Sequence, residues 1–114
     1  MSRNILYYQN GENIIKAGQF EQRMFIILEG KVSIILTNGN EQFVVATLAR
    51  GDFFGEISLF TSIPRSATVR ALGDVKLAYI DNVTQLKAFL IKNPAFAAKM
   101  VQILSQRLAK TDEI

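Results

Sequence analysis

The chain has 114 residues, 49% of them hydrophobic, and 13 Lys and Arg against 10 Asp and Glu give a formal net charge of +3. That length suits one domain, which buries roughly two-thirds of the surface of its unfolded chain, and so much apolar content excludes a disordered polymer. Histidine and cysteine are both absent, which excludes Ser-His-Asp and Cys-His nucleophiles, imidazole metal sites and a disulfide framework.

The basic residues are scattered, with no arginine-rich arm or basic helix. Such a surface reads as solvated, with a mild preference for anions and no nucleic-acid interface. The first apolar run, Ile5-Leu6-Tyr7-Tyr8, is too short for a secretory signal, and no stretch approaches the length of a membrane-spanning helix. A soluble, cytoplasmic chain with no membrane contact is expected.

Taken in chain order, apolar clusters at Ile5–Tyr8, Ile14–Ile15, Met24–Leu28, Val32–Leu36, Phe43–Leu48, Ala67–Leu72 and Val75–Ile80 are separated by glycine, asparagine or aspartate. Even spacing of this kind predicts an all-β sandwich or barrel. Thr37-Asn38-Gly39-Asn40 joins two of the strands through an Asn-Gly hairpin turn, and Gly73-Asp74 is expected to join another pair. The run Phe25–Leu28 predicts a strand buried on both faces, whereas Thr68–Ala71 alternates as a half-exposed strand would.

After Asp81 the period changes. Leu86, Phe89 and Leu90 follow helical spacing, with Asp81 or Asn82 to cap the start and a stop near Asn93. Pro94 suits the first turn of a second helix, because its missing N–H would have no partner there. That helix, predicted over about 94–110, carries two apolar stripes: Phe96, Met100 and Ile103 form one, and Ala97, Val101, Leu104 and Leu108 form the other. Either the two make a single wide face packed on the barrel, or one meets the barrel and the other a partner chain. A single domain over 1–114 is expected, with strands over about 5–80 and helices over about 82–92 and 94–110, an α+β, mainly β arrangement.

The stretch Gly51–Ala71, GDFFGEISLFTSIPRSATVRA, is the most informative. A glycine turn leads into one short apolar turn of helix with a guanidinium, Arg65, just beyond. Backbone N–H groups and a planar fork of donors can wrap a small anion. Glu56 would be repulsive beside a phosphate alone. It makes sense if the ligand also carries a hydroxyl in need of an acceptor, as a ribose does, so the implied ligand joins a phosphate and a sugar.

Phe54-Gly55-Glu56-Ile57-Ser58-Leu59, followed after Phe60–Ile63 by Pro64-Arg65-Ser66-Ala67-Thr68, closely resembles the phosphate-binding cassette of cyclic-nucleotide-binding domains. The likeness extends outward through Phe25-Ile26-Ile27-Leu28-Glu29-Gly30 and Asn93-Pro94, nearly the whole chain. The resemblance implies an eight-stranded jelly-roll β-barrel with flanking C-terminal helices and the cassette inserted between strands. It also implies a cAMP or cGMP ligand, with no other cofactor and no metal. By the same resemblance Arg65 pairs with the cyclic phosphate, Glu56 accepts the ribose 2′-hydroxyl, and Gly55 lets the backbone approach. Ile57 and Ser58 offer amides, and Ser66 adds a hydroxyl to the phosphate or the base edge. Val45, by its place in the strand before the cassette, is a candidate for the apolar wall of the base pocket, although a strand valine is more often ordinary core. Phe53, Phe54, Leu59, Phe60 and Ile63 read as core and as hinge packing for the cassette.

No catalytic residues are expected. The transcription-factor members continue into a long helix that dimerises and contacts the base, then into a helix-turn-helix domain. This chain ends at Asp112-Glu113-Ile114, so DNA binding by this chain alone is not expected. The leading expectation is a cyclic-nucleotide sensor that signals to a protein partner or homodimer through its C-terminal helix. The alternatives are an interaction subunit that keeps the fold without using the pocket, and the regulatory fragment of a larger transcription factor, kinase or channel.

Overall fold

The computed structural model describes residues 4–61 and 64–112; the expected packing role of Ile63 lies outside them. The chain divides into two compact units between Asn82 and Val83. The first holds the strands β1 (Ile5–Tyr8), β2 (Asn13–Ile15), β3 (Met24–Asn38), β4 (Glu41–Ala49), β5 (Phe53–Phe54) and β6 (Thr68–Ile80), with the short helix α1 (Ile57–Phe60) between the last two. The second holds α2 (Val83–Lys92) and α3 (Pro94–Asp112).

All strand pairings are antiparallel, in the order β1-β6-β3-β4, with β2 also on β6 and β5 also on β3. The mainly β architecture with C-terminal helices matches expectation. The strand count does not: the described residues form six strands in a sheet that does not close, where an eight-stranded barrel was expected. The reason lies in two glycines. Gly73-Asp74 is not a hairpin turn, because β6 runs straight through it, and β3 likewise runs through Gly30. Between the pairs Lys31↔Leu72 and Glu29↔Lys76 the register shifts, so the two strands bend together and go on pairing. Glycine inside a strand commonly marks such a bulge. A Cβ on Gly30, whose φ is +89°, would stand 2.3 Å from the Asp74 carbonyl oxygen, so no larger residue fits this bend.

The β3–β4 hairpin forms, but its ladder runs one residue further than the Asn-Gly signal implied. Asn38 pairs with Glu41, leaving Gly39-Asn40 as the two-residue turn.

Met24, Phe25, Ile26 and Ile27 are all buried in succession, as expected of a strand covered on both faces. Thr68–Ala71 is more deeply buried than its alternation implied. Thr68, Val69 and Ala71 are all inside, and the Thr68 hydroxyl is satisfied by the Ala17 N–H at 3.1 Å. The Phe25 and Phe54 rings stack at 5.1 Å with planes 20° apart, while Phe25 pairs in register with Phe54 and Ile26 with Phe53. This contact fastens the start of the cassette to the centre of the sheet.

In the second unit α2 ends and α3 begins at Asn93, as the Asn-Pro signal implied. The Asn93 side-chain amide donates to the Phe89 carbonyl at 2.9 Å, and its own carbonyl accepts the Ala97 N–H at 3.1 Å. Phe89 and Phe96 pack edge to face across this corner at 5.2 Å. On α3, Met100 is buried whereas Val101 and Leu108 are exposed. No helix among the described residues is long and apolar enough to cross a membrane.

The bend at Gly30 yields a stability prediction. Gly30→Ala meets a backbone oxygen and is expected to cost at least about 1–3 kcal/mol. Gly73→Ala, at φ +80° with nothing within 4 Å of its Cβ, is expected to cost less. Urea denaturation midpoints of the two variants check the difference.

Candidate functional site

The cassette begins where β5 ends. Asp52 closes the turn before it: the Ala49 N–H donates to its carboxylate and the Asp52 N–H to the Ala49 carbonyl, both at 2.9 Å. The Gly51 N–H and the Asp52 carbonyl bond to the main chain of Ile27 in β3 at 2.8 and 2.9 Å. After Phe54, Gly55 takes a φ of +83°, and a Cβ there would stand 2.6 Å from Arg65 Nη1, 3.0 Å from Arg65 Nη2 and 2.9 Å from the Arg23 carbonyl oxygen. The missing side chain is what lets the guanidinium lie against the backbone.

Glu56 follows with helical φ and ψ and is 7% exposed, so α1 starts from a buried carboxylate. Ser58 is buried and its N–H lies 3.2 Å from the Gly55 carbonyl, at the long end of the hydrogen-bond range. Ile57 is 62% exposed, and at the first helical position its N–H has no intrahelical carbonyl to serve. The Thr61 hydroxyl donates to the Ile57 carbonyl at 3.1 Å, in extended backbone that ends the helix.

Arg65 is held by its main chain and its head. Its carbonyl accepts the Gly18 N–H at 2.8 Å and its N–H donates to the Gln19 carbonyl at 2.9 Å. Nη2 donates to the Arg23 carbonyl, while Nε is buried with no hydrogen-bond partner among the described residues. Burial pushes the Arg65 guanidinium below its usual pKa; the carboxylates of Glu21 and Glu56 oppose that fall, and Arg23 adds to it. An arginine stays charged through such a shift, so the site presents a partly desolvated cation with a donor to spare.

The structure therefore brings Gly55, Glu56 and Arg65 together. Phe53 and Phe54 are buried in the core as expected, whereas Phe60 is 61% exposed. Ser66 is exposed beside Arg65. Val45 is 54% exposed and is the extra residue of a β-bulge, lying between Val44 opposite Ile35 and Ala46 opposite Ile34. Sequence reasoning missed the loop 18–23, which supplies three main-chain partners to Arg65. Contacts through carbonyls and amides do not depend on residue type, so no motif announces them. The one visible signal was Glu21-Gln22-Arg23, opposite charges two apart just ahead of a strand.

The family model for the cyclic nucleotide-binding domain matches residues 5–93. The chain belongs to that family. It is 42% identical over 83 residues to the cAMP-dependent protein kinase type II regulatory subunit of Drosophila melanogaster, an overlap that covers 72% of this chain and 21% of that protein. To the cAMP-dependent protein kinase regulatory subunit of Mycosarcoma maydis it is 40% identical over 77 residues, covering 68% and 15%. The chain thus spans only 21% and 15% of the length of these two relatives. Among solved structures, the Thermus thermophilus catabolite activator protein aligns with a TM-score of 0.79 at 28% identity over 95% of this chain and 51% of that one. The N-terminal domain of a Streptomyces coelicolor transcriptional regulator aligns with a TM-score of 0.69 at 28% identity, over 96% and 78%.

Beside the cassette, Glu21 is held below its ordinary carboxyl value, near 4.5, first by its side-chain hydrogen bonds with Arg23, against the opposing effect of burial. A carboxyl depressed on folding adds stability that is fully present above its unfolded pKa and is lost as pH falls through the folded one. Stability is therefore expected to decline below about pH 4.5, and more gently in Glu21→Gln than in the unaltered chain. Chemical denaturation across pH 3 to 6 checks this.

Proposed function

We propose that this domain is a non-catalytic sensor of a cyclic nucleotide, cAMP or cGMP, that docks the cyclic phosphate on Arg65 and the ribose on Glu56. The observation that carries the reading is the Arg65 guanidinium: lodged against Gly55, partly stripped of water, with a buried Nε lacking an acceptor among the described residues. A buried donor without a partner is costly, and an anionic oxygen is the acceptor that relieves it best. Membership of the cyclic nucleotide-binding domain family supports the same ligand class, as do the relatives named as cAMP-dependent protein kinase regulatory subunits.

In this reading the N–H of Ile57, with that of Ser58 once released from its long bond to the Gly55 carbonyl, supplements Arg65, and Ser66 adds its hydroxyl. Val45, exposed at the bulge in β4, lines the base. Glu56 acts as a discriminator, because a carboxylate buried beside an anion is tolerable only when a hydroxyl donates to it. Ligand closes the cassette, and the movement is passed to α2 and α3, which change an interaction with a protein partner or a second copy. Such switching requires tighter ligand binding to one arrangement than to the other.

Calorimetric titration with cAMP, cGMP, 2′-deoxy-cAMP and 5′-AMP tests the proposal. At least one cyclic ribonucleotide is expected to bind, with the 2′-deoxy analogue and the linear monophosphate weaker. Charge-assisted hydrogen bonds contribute about 1.5–3 kcal/mol each, so Arg65→Ala is expected to weaken binding at least about tenfold. Absence of heat and of thermal shift with every cyclic nucleotide, cyclic dinucleotides included, would overturn the sensor reading.

A further inference from the structure

We propose that Glu21 and Arg23 are positioning residues that set the Arg65 guanidinium before ligand arrives, an inference that rests on the sensor reading above. Three bonds converge on the Glu21 carboxylate from one residue. Arg23 Nε reaches Oε1 at 2.9 Å, Nη2 reaches Oε2 at 2.9 Å, and the Arg23 main-chain N–H reaches Oε1 at 3.1 Å. Amide and head of the same arginine are thereby tied to one carboxylate two positions earlier, which leaves the backbone from 21 to 23 little freedom. The Arg23 guanidinium carbon also sits 5.3 Å from the Phe25 ring centroid and 5.1 Å from that of Tyr79, so the clamp is anchored on the sheet.

The Arg23 carbonyl is the group this arrangement fixes, and it accepts from Arg65 Nη2. Gly18 and Gln19, at the other end of the same loop, hold the Arg65 main chain. One six-residue loop thus places both ends of the cation. A long side chain ordered in advance does not lose its rotamer freedom again when a phosphate arrives. The clamp does this without spoiling the electrostatics, since the Arg23 charge offsets a carboxylate that would otherwise repel an anion.

The test uses variants that keep every charge and break only the fork. Glu21→Asp shortens the acceptor, and Arg23→Lys removes the paired donors. Binding of cAMP and cGMP is measured for each, in the unaltered background and in Arg65→Lys, alongside melting temperature. Both variants are expected to bind about three- to tenfold more weakly with Arg65 present and to show no further weakening with Arg65→Lys, as coupled residues do. Unchanged affinity in both variants, or an equal loss in both backgrounds, overturns the positioning role. If the unaltered chain binds no cyclic nucleotide, the sensor reading falls by itself. Positioning is then read from the Arg65 Nε–Hε NMR signal, expected sharp in the unaltered chain and broadened in the variants. An unchanged signal overturns it.

Discussion

A cation partly removed from water is the constraint around which the described structure of the first unit is arranged. Arg65 can lie where it does because Gly55 has no side chain, because Phe54 is pinned on Phe25, and because the loop 18–23 turns carbonyls toward it. Without the close approach at Gly55 and the loop's acceptor, the guanidinium would lack the contacts that hold it out of water. The short helix α1 is subordinate to the same arrangement. It starts directly after the buried Glu56, whose carboxylate acts electrostatically on Arg65.

Charge alone is a weak recruiter here. Arg65 feels two carboxylates, Glu21 and Glu56, and one further guanidinium, Arg23, so the cluster is close to neutral when counted as four side chains. Its pull on a distant anion is correspondingly small, all the more so at physiological ionic strength. In the proposed reading, selection falls to contact geometry: a fork for one group and an acceptor for another, at a fixed separation. That is how a modestly basic protein could prefer one small anion among many abundant ones.

Much of this was legible in the residues. The Phe-Gly-Glu and Pro-Arg-Ser-Ala-Thr segments marked the two chain stretches that the fold brings together, since both depend on side-chain identity: a glycine for approach, a guanidinium for charge, a carboxylate for its complement. The helix boundary at Asn93-Pro94 was equally plain, because proline forbids continuation and suits initiation. The number of strands was not. Gly30 and Gly73 look like turn punctuation, and only the facing irregularity in the partner strand shows that both bends stay inside one ladder. The support beneath Arg65 was hidden for a different reason. Gly18, Gln19 and Arg23 touch it through main-chain atoms, and such contacts carry no side-chain signature in the sequence.

Asn93 has a mechanical consequence of its own. It tethers a carbonyl of the helix it terminates and supplies a carbonyl to the helix that follows, while two aromatic rings brace the corner edge to face. An elbow held at three points in this way fixes the angle between α2 and α3 more firmly than a bare connector of the same length would.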